Sequence, residues 1–556
     1  MTLNAAPTNT TKPPRARDGL RALSGVALTV AAFCALPMLA VLIAALSGGT
    51  ETVQHLIQTV LGRYTTTTLL LVLLVSAGTF AIGVGAAWLV TMTRFPGAKF
   101  LEIALVLPLA FPAYVLAYAY THVLDHPGIV QETLRDVTGW GPRDYWFPEI
   151  RSLGGAAAML VLVLYPYVYL LARAAFLQQS GTTFLAARAL GSSAWSAFFK
   201  VSLPLARPAI AGGVLLAVME TIADFGTVAY FGVQTFATGI YTSWFSMFDR
   251  AAAAQLALCL LSFALLLAML ERAQRGKAQY HDPARRTQSA PPSELTGWQA
   301  AAALVLCGVP VLFGAVLPVV ILVTMGLESE QNLFSPRYLG FMRNSVTLAG
   351  IAALLTVLAA ISLGFFRRLR PGRVSQGAAY VARLGYAVPG GVIAVGLLVP
   401  FAMFDNALDA WMRATFDFST GLLITGSIWL LVLAYLVRFL AAALGAYEGG
   451  QAMVHANMDA AARSLGQTPL GTLRRVHLPI LAPSLLTALL IVFVDVMKEL
   501  PATLIMRPFN YDTLAVQAYR LASDERLNGA AVPSLVIVAM GLLPVILICR
   551  QVGRQR

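Results

Sequence analysis

Two stretches, AARALGSSAWSAFFKVSLP from Ala186 to Pro204 and AARSLGQTPLGTLRRVHLP from Ala461 to Pro479, are versions of one segment. Matched residues lie a constant 275 positions apart (461 − 186, 466 − 191, 479 − 204). A long self-similarity at one fixed offset marks two homologous halves. Each copy is polar and basic but sits between long apolar runs, so it reads as a loop leaving a membrane domain. Alanine and arginine favour helix, whereas Gly191 and Gly466 permit a sharp turn, so each copy is expected to fold as helix, turn, helix. Pro204 and Pro208, with Pro479 and Pro483, stand where the second short helix stops and the next span begins, a position that tolerates proline.

Composition sets the class. Hydrophobic residues make up 58% of the 556 and charged residues 12%, against about 45 to 50% and about 25% in soluble domains. Such a chain is an all-α polytopic membrane protein. Lysine and arginine exceed aspartate and glutamate by 13, which in a soluble protein would suggest nucleic acid as a partner. Here the excess follows from basic residues collecting in cytoplasmic loops, and no nucleic-acid partner is expected. Cys34, Cys259, Cys307 and Cys549 lie in or beside apolar runs without metal or disulfide spacing, and read as small buried apolar residues.

At about 20 apolar residues per span, the first six fall near 22–47, 65–92, 101–123, 153–176, 208–230 and 253–271. The second six fall near 298–326, 344–366, 377–403, 421–446, 484–506 and 532–549. The first run is too long for a signal peptide and is expected to remain as a span. Arg94, Lys99, Lys200, Arg207, Arg367, Arg368, Arg370, Arg373, Arg474 and Arg475 share one side, which is then the cytoplasm. The domains are accordingly a cytoplasmic tail 1–21, a transmembrane domain 22–271, a linker 272–297, a second transmembrane domain 298–549 and a tail 550–556, both tails cytoplasmic. The repeated loops occupy 184–207 and 459–482. Six spans per half give two tandem parallel six-helix repeats, about twelve transmembrane helices in all, related by a pseudo-two-fold axis along the membrane normal.

Charge also lies inside the spans. Glu220 and Asp224 are four apart and so share a helix face, and the offset of 275 carries them onto Asp495 and Glu499. About 12 residues at 1.5 Å place Glu220 roughly 18 Å from the span start at Pro208, near the middle of a core about 30 Å thick. Ionisable groups there line a pathway or serve structure; Lys498 neutralising an acid, or carboxylates capping helices broken near Gly226 and Pro501, would be the structural alternative. Oxygen-rich acidic surroundings suit a hard, highly charged cation. A path must release what it accepts, so no high-affinity metal site is expected. Tyr165, Tyr167 and Tyr169 read as packing, and the scattered histidines, His126, His281, His455 and His477, suggest no role.

The doubled loop resembles the EAA loop of ABC importer permeases, a Glu-Ala-Ala triplet followed by glycine and then by a hydrophobic-Leu-Pro. The matching residues are Ala186, Ala187, Arg188, Gly191, Leu203 and Pro204, and then Ala461, Ala462, Arg463, Gly466, Leu478 and Pro479. Leu185 and Ala460 replace the glutamate, with Asp459 one residue early. The stretches LPLAFPAYVLAYAY from Leu107, ADFGTVAYFG from Ala223 and MKELPATLIMRPFNYDTLAVQAY from Met497 are similar to the fused iron(III) permeases; thiamine permeases share the layout and the ADFGT-like segment. The resemblance implies a type I ABC importer permease fold in the bacterial inner membrane, not itself an enzyme and binding no cofactor. It further implies two copies of a cytoplasmic ATPase, which consume ATP and Mg, and a periplasmic ferric-iron-binding protein. The chain has no G-x-x-x-x-G-K-[ST] loop, so ATP is left to the partner. Glu220, Asp224, Asp495, Lys498 and Glu499 become candidate pathway residues. A proton-coupled secondary carrier using these acids is the alternative from another class.

Overall fold

A computed structural model of the chain describes residues 14–179, 194–278, 293–332 and 334–554. Among the described residues, eleven helices are long and apolar enough to cross a membrane, or twelve when one bent pair counts as a single span. Many of their large apolar side chains, Leu46, Leu73 and Leu306 among them, are exposed. In a bilayer that surface faces lipid, while helices satisfy their backbone internally as the hydrocarbon demands.

Three helices pack on one another in each half: Gly62–Met92, Leu153–Gln178 and Leu203–Ala223 in the first, Pro336–Leu369, Ile428–Gln451 and Leu478–Met497 in the second. The halves interlock. Helix Pro14–Ser47 lies on Arg373–Ala387 and Gly390–Phe416, and Leu317–Leu327 lies on Ala113–Leu124. Away from the repeated loops, Arg151 ties the halves together, its Nη atoms donating to both Glu525 oxygens at 2.6 and 2.8 Å and its Nε lying 3.0 Å from Asp125.

Four of the expected spans are broken where proline or a carboxylate intervenes, two of them at the Gly226 and Pro501 positions offered by the structural alternative. The third, expected at 101–123, is two segments bent by 94° around Ala110 and Ala113, since Pro108 and Pro112 cannot carry the helical hydrogen bonds across. The ninth, expected at 377–403, divides into Arg373–Ala387 and Gly390–Phe416 at Pro389. The fifth and eleventh stop at Ala223 and Met497 and resume as the short helices Gly226–Tyr230 and Pro501–Met506. At the ends of the linker region, helix Arg250–Ala278 runs past residue 271 and Ser293–Glu294 pairs in parallel with Thr93–Arg94, fastening the start of the second half to the first. Cys34 and Cys307 are buried; Cys259 is exposed, turned outward from its helix. The Cys549 side chain lies outside the described ones.

Candidate functional site

The intramembrane acids sit where the two helices break. Asp224 accepts from the backbone N–H of Thr227 and Val228, at 3.1 and 3.2 Å, and from the Thr227 hydroxyl. Glu499 accepts from the N–H of Ala502 and Thr503, at 3.0 and 3.1 Å, and from the Thr503 hydroxyl at 2.7 Å. A helix beginning inside a membrane exposes donors that lipid cannot satisfy, and a carboxylate at that end both accepts from them and complements the helix dipole. One acid of each pair is therefore committed to holding a helix start.

The breaks adjoin one another. Gly226 is hemmed in from both halves: a Cβ there would stand 2.8 Å from Tyr114 Cβ in its own half and 3.0 Å from Leu500 Cδ2 in the other. The Tyr114 hydroxyl donates to the Lys498 carbonyl at 3.3 Å. Between the breaks is a cavity of about 120 Å³ whose lining includes all five candidate pathway residues, Glu220, Asp224, Asp495, Lys498 and Glu499. The residues once read only as two matching faces thus meet around one space.

The cavity is asymmetric in charge. Lys498 Nζ is 2.9 Å from Asp495 Oδ1, whereas the position matching Lys498 in the first half is Ala223. Glu220 instead faces Tyr386, contributed by the second half. Arg438 supplies a further cation whose Nη1 is buried without a hydrogen-bond partner. Arg438 was missed because the offset maps it to Val163, but a single arginine inside LLVLAYLVRFLAAAL was itself a signal. Tyr167 also lines the cavity, while its neighbours Tyr165 and Tyr169 are fully buried in packing. Fully ionised, four carboxylates face two cations. Among the described residues no group of three or more His, Cys, Asp or Glu side chains could hold a metal ion.

Of the first repeated loop, Ala186, Ala187, Arg188 and Gly191 lie outside the described residues; Leu203 and Pro204 open the helix Leu203–Ala223. The second loop forms helix Ala456–Ser464, then a turn with Gly466 at φ 74°, a left-handed conformation costly to other residues. Thr468 caps the next turn, which runs through His477 into the helix opened by Leu478 and Pro479. Ala462 faces inward; Ala461, Arg463 and Gly466 are exposed, as are Leu465 and Leu470. Asp459 points the other way: its oxygens meet Arg368 Nε at 2.7 Å and His477 Nε2 at 2.6 Å. His477, assigned no role from sequence, is buried and anchors this loop. Burial pulls the Asp459 carboxyl upward, but the bonds to His477 and Arg368 outweigh it and hold it below the usual carboxylate range.

Residues 80–276 match the family described as binding-protein-dependent transport system inner membrane component. The chain resembles the membrane permeases of ABC transporters. Over 527 residues, 92% of its length, the permease is 27% identical to an Fe(3+)-transport system permease protein of Haemophilus influenzae, covering 95% of that protein. It is 25% identical over 460 residues to a ferric transport system permease protein of Actinobacillus pleuropneumoniae, spanning 79% of this chain and 64% of that one. A shorter match, 29% over 197 residues, is to a molybdenum transport system permease protein of Escherichia coli, covering 34% of the permease and 81% of that relative.

Proposed function

We propose that the permease is the pore of an ATP-driven importer that carries ferric ion, delivered by a periplasmic binding protein, across the inner membrane into the cytoplasm. The cavity between the helix breaks carries this reading. Its carboxylates and phenols are hard oxygen donors of the kind a small, highly charged cation prefers, and the similarity to ferric permeases over nearly the whole chain supports it. Because Asp224 and Glu499 are engaged with helix starts, Glu220 and Asp495 are the acids left to meet the cargo. Contacts divided between two halves can be surrendered when the halves separate, as release requires.

The halves act as tandem parallel six-helix repeats, and the loops at 184–207 and 459–482 each receive one of two ATPase copies, with both chain termini cytoplasmic. The exposed Leu465 and Leu470 give the second loop an apolar docking face. ATP with Mg, bound and hydrolysed by the partner, draws the loops together and apart, and rocking of the halves opens the cavity to each side in turn.

Uptake of labelled iron and of labelled thiamine by cells expressing the permease with its neighbouring binding protein and ATPase tests the cargo. Iron accumulation that stops with an inactive ATPase is expected; thiamine transport independent of iron would replace the cargo and leave the architecture. Capture of an ATPase by the permease, lost on substituting Gly191 and Gly466, separates the pump from a proton-coupled carrier.

A further inference from the structure

A second cavity, of about 160 Å³, lies between the first turn of helix Pro336–Leu369 and the segment made by helix Leu514–Ser523 and the turn after it. Arg368, which holds the second loop, is some 30 residues along the same helix from Tyr338, roughly 45 Å at 1.5 Å per residue. The cavity is therefore at the end of the molecule opposite the ATPase-facing loop.

Its lining is basic. Arg337, Arg520 and Arg526 stand against the single carboxylate of Asp524. Arg520 reaches another acid, Asp512, only at 3.9 Å, and Asp512 is already paired with Arg507. The helix start adds the positive end of a dipole. Three guanidinium groups repel a metal cation, so this space is no part of a cation path.

Two lining side chains are buried with unused polar atoms. Tyr338 is 3% exposed and Gln517 is 7% exposed, yet neither the Tyr338 hydroxyl nor Gln517 Oε1 has a hydrogen-bond partner. Buried polar atoms in folded proteins are nearly always paired, with protein, water or a bound ion, so two unpaired ones in the lining of one cavity point to an occupant there.

We propose that this cavity binds a small oxyanion that retains a hydroxyl, as monohydrogen phosphate does. The arginines and the Tyr338 hydroxyl donate to its oxygens, and its own O–H donates to Gln517 Oε1. Planar guanidinium forks match such oxygens in pairs. A free phosphate and the headgroup of a hydroxyl-bearing phospholipid share this chemistry, and the site does not depend on ferric ion being the cargo.

The test uses the full-length permease in phosphatidylcholine nanodiscs, titrated with labelled inorganic phosphate by equilibrium dialysis. Saturable binding is expected, at least about fivefold weaker in Tyr338→Phe, which removes one hydroxyl and keeps the ring. A similar loss is expected in Arg526→Gln, at an exposed position. Sulfate, with no proton to donate, should compete poorly. In a parallel arm with phosphatidylglycerol, lipid retained by the wild type through delipidation and lost from Arg526→Gln would support the site with the headgroup as its source. Absence of both phosphate binding below about 10 mM and retained lipid, or equal binding by wild type and both variants, overturns the proposal.

Discussion

Helices Leu203–Ala223 and Leu478–Met497 break at matching places, Asp224 and Glu499 being 275 residues apart, and differ in what surrounds each break. In the first half the cap is the shorter Asp224, partly exposed to the cavity, and the acid one turn earlier, Glu220, has no cation beside it on its helix. In the second, Glu499 is 5% exposed and its oxygens accept from two amides and a hydroxyl, while Asp495 is paired with Lys498. Capping makes the backbone alike, since each restarted helix needs an acceptor for its first donors. Charge is free to diverge, because Ala223 and Lys498 serve equally well as the residue before a cap. A cation entering the cavity meets an open carboxylate on one side and, on the other, one whose ammonium partner it must displace.

The largest effect expected from this difference is on transport. Asp495→Asn removes a negative charge and releases the Lys498 ammonium from its partner, whereas Glu220→Gln only removes a negative charge. Iron uptake should fall by at least about tenfold in Asp495→Asn, a barrier change of about 1.4 kcal/mol, and less in Glu220→Gln. Adding Lys498→Met to Asp495→Asn should recover part of the loss. Equal deficits in the two single variants, with no recovery in the double, would show that the asymmetry has no bearing on movement of the ion.

Stability sharpens the comparison from the side of the caps. Glu499→Ala strands the amides of Ala502 and Thr503 in a buried setting, at about 1 to 3 kcal/mol for each donor left unpaired. Asp224→Ala strands the amides of Thr227 and Val228 nearer the cavity, where water can replace part of what is lost. Thermal unfolding of the purified permease should fall further for Glu499→Ala. A larger drop for Asp224→Ala would mean that depth in the packing does not control the cost of losing a cap.

The sequence alone disclosed the parts of this site that repeat. One offset taken from the loops reached Glu220, Asp224, Asp495 and Glu499, and all four line one cavity. The structural alternative, caps at helices broken near Gly226 and Pro501 and a Lys498 pair, was also legible, but not which acid does which: Asp224 and Glu499 cap and Asp495 takes the lysine. Arg438 and Tyr386 were missed for other reasons: the offset carries Arg438 onto the apolar Val163 and Tyr386 onto Phe111, which has no polar atom to draw attention. The prolines at 108, 112 and 389 were visible, but apolar length alone suggested rods, and the bend of 94° follows only when the missing donors are counted.

The smallest expected effect concerns the loops, where the halves differ again. Asp459, His477 and Arg368 form one network in the second half, and the residues 275 positions earlier are Phe184, Ser202 and Thr93, which cannot reproduce it. The Asp459 carboxyl is held below its ordinary value by bonds that outweigh the effect of burial. A depressed acid contributes its stabilisation in full above the ordinary carboxyl value, about 4, and loses it as pH falls through the lowered folded value. The protection of amides in helix Ala456–Ser464, their exchange corrected for the intrinsic rate at each pH, should therefore fall on acidification in that range by about 1 kcal/mol, and Asp459→Asn should be less protected at neutral pH with that acid response removed. Exchange in the first loop, which has no such acid, should lack this step. The same acid step in both loops would trace the effect to a general loosening of the permease and remove Asp459 as the reason the second loop is held.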